Sequence, residues 1–332
     1  MGATSSVAMC THNGAAFVEQ QVASILGQSV LPAELVVSDD ASSDATIGIV
    51  RSMFDALSPN GPAAGVRLIV LENPVPLGIT ANFEQAIRAT SGEVIFLSDQ
   101  DDVWHADRVE SALQVFDADP SLSLVFSDAD LVDVDGASLG IGLFEALEIR
   151  KRELESIRQG DAFSVLVKRN VVTGATVAFR RVLLDVALPF PPEWVHDEWL
   201  ATLAAGTSRI GVIDRELIDY RQHGANEIGV RRATLAVKVG QVFQPRGNRN
   251  EWLASRSRLL SEHLESLVPA VSLEVLAQSR EKATVEKFRA ALPASRWRRI
   301  APMIVAERRG WYARYCSQGR LDILRDLLQP HG

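Results

Sequence analysis

The stretch Ser98-Asp99-Gln100-Asp101-Asp102 crowds three carboxylates directly behind the apolar run Val94-Ile95-Phe96-Leu97. That run reads as a buried parallel strand entered through Ser91-Gly92, and open α/β sheets bind ligands beyond the carboxyl ends of such strands. Like charges gathered there raise one another's pKa, and a hard divalent cation, which prefers oxygen ligands, relieves the repulsion. A solvated loop that caps a helix starting near Trp104 explains a lone Asp-X-Asp equally well. Two further loops shift the balance. Thr11-His12-Asn13-Gly14 follows the first apolar run, and Ser38-Asp39-Asp40-Ala41-Ser42-Ser43-Asp44 follows the second. Each of Asp39, Asp40 and Asp44 can be a helix cap. Helix capping, however, does not require three loops to meet in one crevice, as they can in a doubly wound sheet. In that crevice Asp40 suits the imide N–H of uracil or thymine, and the His12 ring can stack on a base.

The distribution of cations narrows the chemistry. No Lys or Arg precedes Arg51, and the first loop lacks Gly-x-Gly-x-x-Gly. This argues against a P-loop, a dinucleotide fold and a nucleotidyltransferase, which present glycines and a basic residue to phosphate. Phosphates bound here would need a metal on Asp99 and Asp101 to neutralise them.

Alternating elements must position these loops. Val7–Cys10, Leu35–Val37, Val66–Leu71 and Val94–Leu97 have the length and apolarity of buried strands, with helical stripes between them, including Thr80 to Ala89. Repeated β-α-β units imply an α/β fold with a mostly parallel, right-handed sheet. Leu122–Phe126 and Val177–Phe179 read as further strands, Asp135-Gly136 as a turn, and Ile210–Ile213 and Leu217-Ile218 as two late strands. Residues 142 to 160 are highly charged with one short helical pattern, which suggests a surface excursion or lid. After about residue 230 the pattern is helical only.

The chain has 332 residues, 47% hydrophobic and 23% charged, which suits one large or two modest globular domains. Cys10 and Cys316 stand at opposite ends of the chain, so neither a disulfide framework nor a zinc spacing follows, and a reducing cytoplasm is expected. No apolar run is long enough to cross a bilayer, and no basic-then-apolar leader opens the chain. Residues 231–332 carry 19 basic and 9 acidic side chains, against 15 and 33 in residues 1–230. An acidic body with a basic tail implies different partners for each part and disfavours nucleic acid. In the tail, Leu292, Trp297, Ile300, Met303, Ile304, Val305, Trp311 and Tyr312 interleave with arginines from Arg289 to Arg314. Two readings stand: a helix lying on an anionic membrane, or a helical appendage packing on the body or on another copy.

The motifs taken together resemble a family 2 glycosyltransferase of the GT-A fold. They are Thr-X-Asn-Gly after the opening strand, Val-Ser-Asp-Asp-Ala-Ser-Ser-Asp, and Glu72-Asn73 with Gly78 and Asn82. Leu-Ser-Asp-Gln-Asp-Asp-Val-Trp, Val172-Thr173-Gly174-Ala175, His196-Asp197-Glu198-Trp199-Leu200 and Tyr220-Arg221-Gln222-His223-Gly224 complete the set. Ser-Asp-Gln-Asp-Asp-Val-Trp with Arg-Gln-His-Gly is most similar to a bacterial rhamnosyltransferase-like branch that builds surface polysaccharide. One departure is His12, where the family usually has Tyr.

The resemblance implies a Rossmann-like GT-A domain over residues 1–229 and a helical basic region over 230–332. It implies inverting, metal-dependent transfer of a sugar, rhamnose from dTDP-rhamnose by branch or else a UDP-linked sugar, to a glycan or lipid-linked acceptor. Asp197 matches the catalytic base. Asp101, with Asp99 and His223, would hold Mg²⁺ or Mn²⁺. Thr11, His12, Asn13, Glu19, Asp40, Asn73, Asn82, Asp99 and Arg221 fall on the nucleotide side. The Arg221 side chain has an alternative in pairing with Asp219 or Glu216. Thr173, Gly174, Glu198 and Trp199 fall on the acceptor side, although Trp104 and Trp199 serve equally well as core aromatics. A non-catalytic nucleotide-sugar-binding module and a nucleotidyltransferase on a similar sheet are the competing classes. Homo-oligomerisation and peripheral contact with the inner face of the cell membrane remain open.

Overall fold

The computed structural model describes residues 3–223 and 247–330. The chain opens with β1 (Ser5–Thr11), α1 (Val18–Leu26), β2 (Glu34–Asp39), α2 (Thr46–Asp55), β3 (Arg67–Glu72), α3 (Ile79–Ala89) and β4 (Val94–Ser98). It continues through β5 (Val103–Trp104), α4 (Arg108–Ala118), β6 (Leu122–Val132) and β7 (Ser138–Gly142). Short helices α5 (Leu143–Ala146), α6 (Lys151–Arg158) and α7 (Ala162–Leu166) precede β8 (Val177–Arg180), α8 (Leu184–Ala187), α9 (His196–Thr207) and β9 (Arg209–Arg221). The remaining α-helices of the described residues are α10 (Arg249–Ser266), α11 (Leu273–Ala290), α12 (Arg296–Arg308), α13 (Trp311–Tyr315) and α14 (Leu321–Leu328).

One sheet runs in the order β3-β2-β1-β4-β8-β6-β9-β5, with β7 paired to β6. The strands β3, β2, β1 and β4 are mutually parallel, while β8 lies antiparallel between β4 and β6. Every residue of β2 and β4 is buried, as expected of strands covered on both faces. Thr11 stands opposite Asp39, and Met9 opposite Ser98. Parallel pairing in this register sends the chain after Thr11, Asp39 and Ser98 off the same edge of the sheet, which is how three distant loops become neighbours.

Three local expectations differ from what forms. The helix expected near Trp104 starts at Arg108, because Val103 and Trp104 pair antiparallel with Asp219 and Ile218. The two late strands are one, β9, running parallel to β6 with shifts of register near Ser127 and Asp128. Residues 142–160 are anchored, since Leu143, Phe144 and Ala146 are buried, and the charges sit mainly on α6.

The chain divides into two compact units, Met1–Gly160 with Val172–Ala204 and Ser208–Val230, and Asp161–Val171 with Ala205–Thr207 and Arg231–Gly332. The division expected after residue 229 lies outside the described residues, as does Gly224. Two earlier segments group with the C-terminal helices. Within the helical unit the basic residues are not all at the surface. Arg289 is buried, with its Nε 2.7 Å from Asp326 and an Nη 3.0 Å from Glu286, which also accepts from Lys282. Tyr312 donates its hydroxyl to Asp326 at 3.0 Å. Buried charges survive in pairs of this kind because each partner offsets the desolvation of the other.

Candidate active site

The loop after β1 and the loop after β4 are joined by one side chain. Gln100 accepts from the His12 N–H at 2.8 Å and donates to the His12 carbonyl at 3.0 Å. A Cβ on Gly14 would fall 2.1 Å from the Gln100 oxygen, so any larger residue there would push the Gln100 side chain out of this bridge. The loop after β2 is tied in as well. Thr11 donates to Asp39 at 2.7 Å, Asp39 accepts the Ser42 N–H at 2.8 Å, and the Asn13 N–H reaches Ser42 at 2.8 Å. Asn13 and Ala41 both sit in the left-handed region, at φ 47° and 61°, where the chain reverses after each strand. Such strain concentrates at functional sites. Asp44 takes the capping alternative, accepting the N–H groups of Thr46 at 3.0 Å and Ala15 at 3.1 Å.

The nucleotide-side expectations fall on this surface in different ways. His12 is exposed, with Nδ1 2.6 Å from the Asp40 carbonyl. The Asp40 carboxylate accepts the N–H groups of Leu77 at 2.5 Å and Gly78 at 2.9 Å, so it is oriented by the turn before α3. Asn82 is buried and bridges Ser38, donating to its carbonyl at 2.9 Å and accepting its hydroxyl at 2.6 Å, while Asn73 donates to Asn82 at 3.2 Å. These two asparagines are struts beneath the loops. Glu19 lies exposed in the first turn of α1.

The carboxylate cluster is tightly framed. Arg221 is buried and braces it: the backbone N–H reaches Asp102 at 3.1 Å, and Nε reaches the Asp101 carbonyl at 2.8 Å. Its other guanidinium nitrogens reach the Val134 carbonyl and Gln20, each at 2.8 Å, and the group lies over the Phe17 ring. His223 stacks on that same ring, with centroids 4.8 Å apart, and sets Nε2 2.7 Å from the Asp101 carboxylate. Arg108, buried on the Trp104 face at 3.8 Å, is a second cation beside the cluster. Burial lowers its pKa to about 9, against the opposing pull of Asp102 and Asp99.

Asp197 stands in the first turn of α9, where the helix dipole favours an anion. Its two oxygens accept the N–H groups of Gly174 at 2.8 Å and Glu198 at 2.6 Å. Burial nevertheless raises its pKa to about 6, with those two N–H groups opposing. A carboxylate with a pKa in this range is able to take up a proton near neutral pH. Next to it, His196 is buried, stacked 3.9 Å from Phe83, and held neutral by burial, which lowers its pKa to about 3.

The charges couple across all of these loops. Asp99 is raised by burial and then by Asp101 and Asp197, with Arg108 opposing. Tyr220 is raised by burial and by Asp99, Asp102, Asp101 and Asp197 together. Cys10 is raised by burial, Asp99 and Asp40. Asp99, Asp101, Asp102 and Asp197 therefore share one electrostatic neighbourhood, and Asp40 adjoins it through Cys10, on which it and Asp99 both act. Its acidic groups outnumber Arg108 and Arg221, the arrangement that a divalent cation balances. Among the described residues, no three His, Cys, Asp or Glu side chains already converge as a ligand set. The Asp101–His223 pair offers one oxygen and one nitrogen. That fits Mg²⁺ or Mn²⁺, which commonly take one or two carboxylates and complete their shell with phosphates and water.

Trp104 and Trp199 are both core aromatics. Each is buried, and the Trp199 indole donates to the Ala187 carbonyl at 2.8 Å. Thr173 turns the chain into β8, its carbonyl accepting from Thr176, and Glu198 is half-buried beside Asp197. Sequence reasoning did not name Arg108, and it placed Gln100, Tyr220 and His196 within motifs without giving them a role. Those roles depend on a partner 88 residues away for Gln100 and on burial for the rest, which the motifs do not reveal.

Comparison with known proteins gives a consistent picture. Residues 6–185 match the family described as Glycosyl transferase family 2. The chain is 25% identical over 234 residues to the dTDP-rhamnosyl transferase RfbG of Shigella flexneri, covering 67% of this chain and 73% of that one. It is 25% identical over 202 residues to the UDP-Glc:alpha-D-GlcNAc-diphosphoundecaprenol beta-1,3-glucosyltransferase WfgD of Escherichia coli, covering 60% and 69%. An uncharacterised glycosyltransferase of a Nostoc species is 24% identical over 67% of this chain and 65% of its own length, so the chain spans about two thirds of such relatives. Among solved structures, S. aureus TarS 1-349 in complex with UDP-GlcNAc superposes with a TM-score of 0.53 at 17% identity, covering 98% of this chain and 90% of that one. The mannosyltransferase PcManGT of Pyrobaculum calidifontis, in complex with GDP-Man and Mn²⁺, gives 0.50 at 17% identity, covering 99% and 86%. These likenesses establish the GT-A fold.

Proposed function

Because this chain belongs to glycosyl transferase family 2, we propose that it moves a sugar from a nucleoside diphosphate to a hydroxyl of a glycan or lipid-linked acceptor, with inversion at the anomeric carbon. The carrying observation is that Asp99 and Asp101, on the loop after β4, and Asp197, in the first turn of α9, fall in one electrostatic neighbourhood. Asp197 takes the proton from the attacking hydroxyl on one of its carboxylate oxygens, a role suited to its raised pKa. Gly174 and Glu198 hold that carboxylate in place through their N–H groups. Neutral His196 beside it leaves the raised pKa of Asp197 undisturbed by a neighbouring positive charge.

Asp40 orients the base by accepting its imide N–H, and Thr11, His12 and Asn13 form the floor on which the nucleoside lies. Arg221 acts by bracing Asp101 and Asp102 rather than by reaching phosphate, a reading supported by its hydrogen bonds to carbonyls and to Gln20. Asp101 and His223, with Asp99 nearby, would hold Mg²⁺ or Mn²⁺, which when bound stabilises charge on the departing diphosphate as a Lewis acid. The likeness to RfbG, named as a dTDP-rhamnosyl transferase, supports dTDP-rhamnose as donor, and the likeness to WfgD, named for a diphosphoundecaprenol-linked acceptor, supports a lipid-linked acceptor.

The test is release of nucleoside diphosphate from dTDP-rhamnose and UDP-glucose, with Mn²⁺ and a diphosphoundecaprenol-linked acceptor. Acceptor-dependent release that is lost in Asp197→Asn while nucleotide binding persists is expected. Binding without release would leave a non-catalytic module, and release of pyrophosphate from a nucleoside triphosphate would indicate a nucleotidyltransferase.

A further inference from the structure

Helix α12 has apolar residues on two opposite faces. Met303 and Ala306 are buried inside the helical unit, beside Arg299, whose guanidinium is used up on the carbonyls of Pro293, Ala294, Asp326 and Gln329. At 100° per residue the opposite arc carries Trp297, Ile300, Ile304 and Val305. These are exposed: 84% for Trp297, 49% for Ile304 and Val305, and 39% for Ile300. A helix that merely covers a globular core puts polar residues on its outward arc. Here the outward arc is apolar and its margins are basic. Exposed Arg296 borders one side, exposed Arg298 the other, and exposed Arg308 stands at its C-terminal end. The one acidic residue of α12, Glu307, is 2.6 Å from Arg320 and so is already paired.

We propose that this face of α12 rests on an anionic lipid bilayer, with Trp297, Ile300 and Ile304 entering the boundary between headgroups and acyl chains and the three arginines meeting lipid phosphates. An apolar arc with a Trp and basic margins is the signature of an interfacial helix. A second copy of the chain is disfavoured by charge. A self-paired arc would bring its arginine margins towards one another, and the helix has no free carboxylate to offset them. Among the described residues no helix is long and apolar enough to cross a membrane, so contact through this helix is peripheral. The inference concerns the helical unit alone and holds whatever the donor and acceptor prove to be.

The test uses the full chain and vesicles of phosphatidylcholine with and without phosphatidylglycerol. Co-sedimentation with the anionic vesicles only, weakening as salt rises, is expected. Brominated acyl chains should quench tryptophan fluorescence in the wild type and much less in Trp297→Phe. The pair Trp297→Ser and Ile304→Ser, and separately the triple Arg296→Ser, Arg298→Ser and Arg308→Ser, should each weaken vesicle binding about tenfold or more. All of these positions are exposed, so the unfolding temperature should not move, and nucleoside diphosphate release with a soluble acceptor should be retained. No binding to anionic vesicles at low salt would overturn the proposal. So would binding indifferent to both sets of substitutions, or a concentration-dependent dimer abolished by them.

Discussion

A single methyl group at Gly174 should slow transfer while sparing donor binding. A Cβ built there lies 3.2 Å from His196 Nε2, 3.3 Å from Asp197 Cβ and 3.4 Å from an Asp197 carboxylate oxygen. Comfortable contacts fall at about 3.5–4.0 Å, so the neighbours must yield by a few tenths of an ångström. His196 has little room to retreat because its ring is stacked 3.9 Å from Phe83. The first turn of α9 must therefore shift and carry Asp197 with it, and the Gly174 N–H that orients the carboxylate shifts too. Misplacing a reacting group by about 1 Å costs on the order of a hundredfold in rate, so this smaller shift should cost about three- to tenfold in kcat. Overpacking of this kind should lower stability by about 1–3 kcal/mol. Steady-state release of nucleoside diphosphate, with donor affinity measured separately by calorimetry, provides the readout. If Gly174→Ala keeps the wild-type kcat, or loses donor affinity in step with kcat, Asp197 is not a base positioned by this turn.

The acid limb of the kcat–pH profile should follow Asp197. With a pKa of about 6 and the charged form active, kcat at saturating donor and Mn²⁺ should drop about tenfold per pH unit below that point. An ordinary carboxylate would keep the profile flat to about pH 5, which would remove burial as the tuning device. Gln100→Ala removes both hydrogen bonds to the His12 backbone, and should raise the donor KM several-fold with kcat little changed; an unaltered KM would show that the clamp is dispensable. In the helical unit, Arg289→Leu strands the buried carboxylates of Asp326 and Glu286, and should lower stability by about 3–5 kcal/mol in denaturant titrations. A loss below about 1 kcal/mol would mean that Lys282 and water satisfy the pocket without it.

The parallel half of the sheet was readable because its strands are nearly continuous apolar runs separated by helical stripes. Their carboxyl ends then fixed which loops could meet, so Asp40 and Asp101 could be grouped before any coordinates, whereas Asp197 entered only through the family resemblance, because it stands on a helix and not at the end of a strand. Elements decided by distant pairing were less accessible. Trp104 joins a strand rather than a helix because β9 comes alongside it. Arg221, recognisable as a motif residue, acts as a brace because the carbonyls it binds lie on loops far away in sequence. Periodicity likewise marked the tail as amphipathic without saying which apolar residues point inward. Only packing separates buried Met303 and Tyr312 from exposed Trp297 and Ile304.

The grip of the clustered carboxylates on a cation and its diphosphate can be measured by titrating dTDP and UDP calorimetrically, with Mn²⁺ or with EDTA, into the wild type, Asp101→Asn and Asp197→Asn. Tight binding only with Mn²⁺, weakened about tenfold or more in Asp101→Asn and preserved in Asp197→Asn, is the expected result. Equal affinity in EDTA, or an Asp101→Asn protein that binds like the wild type, would contradict it.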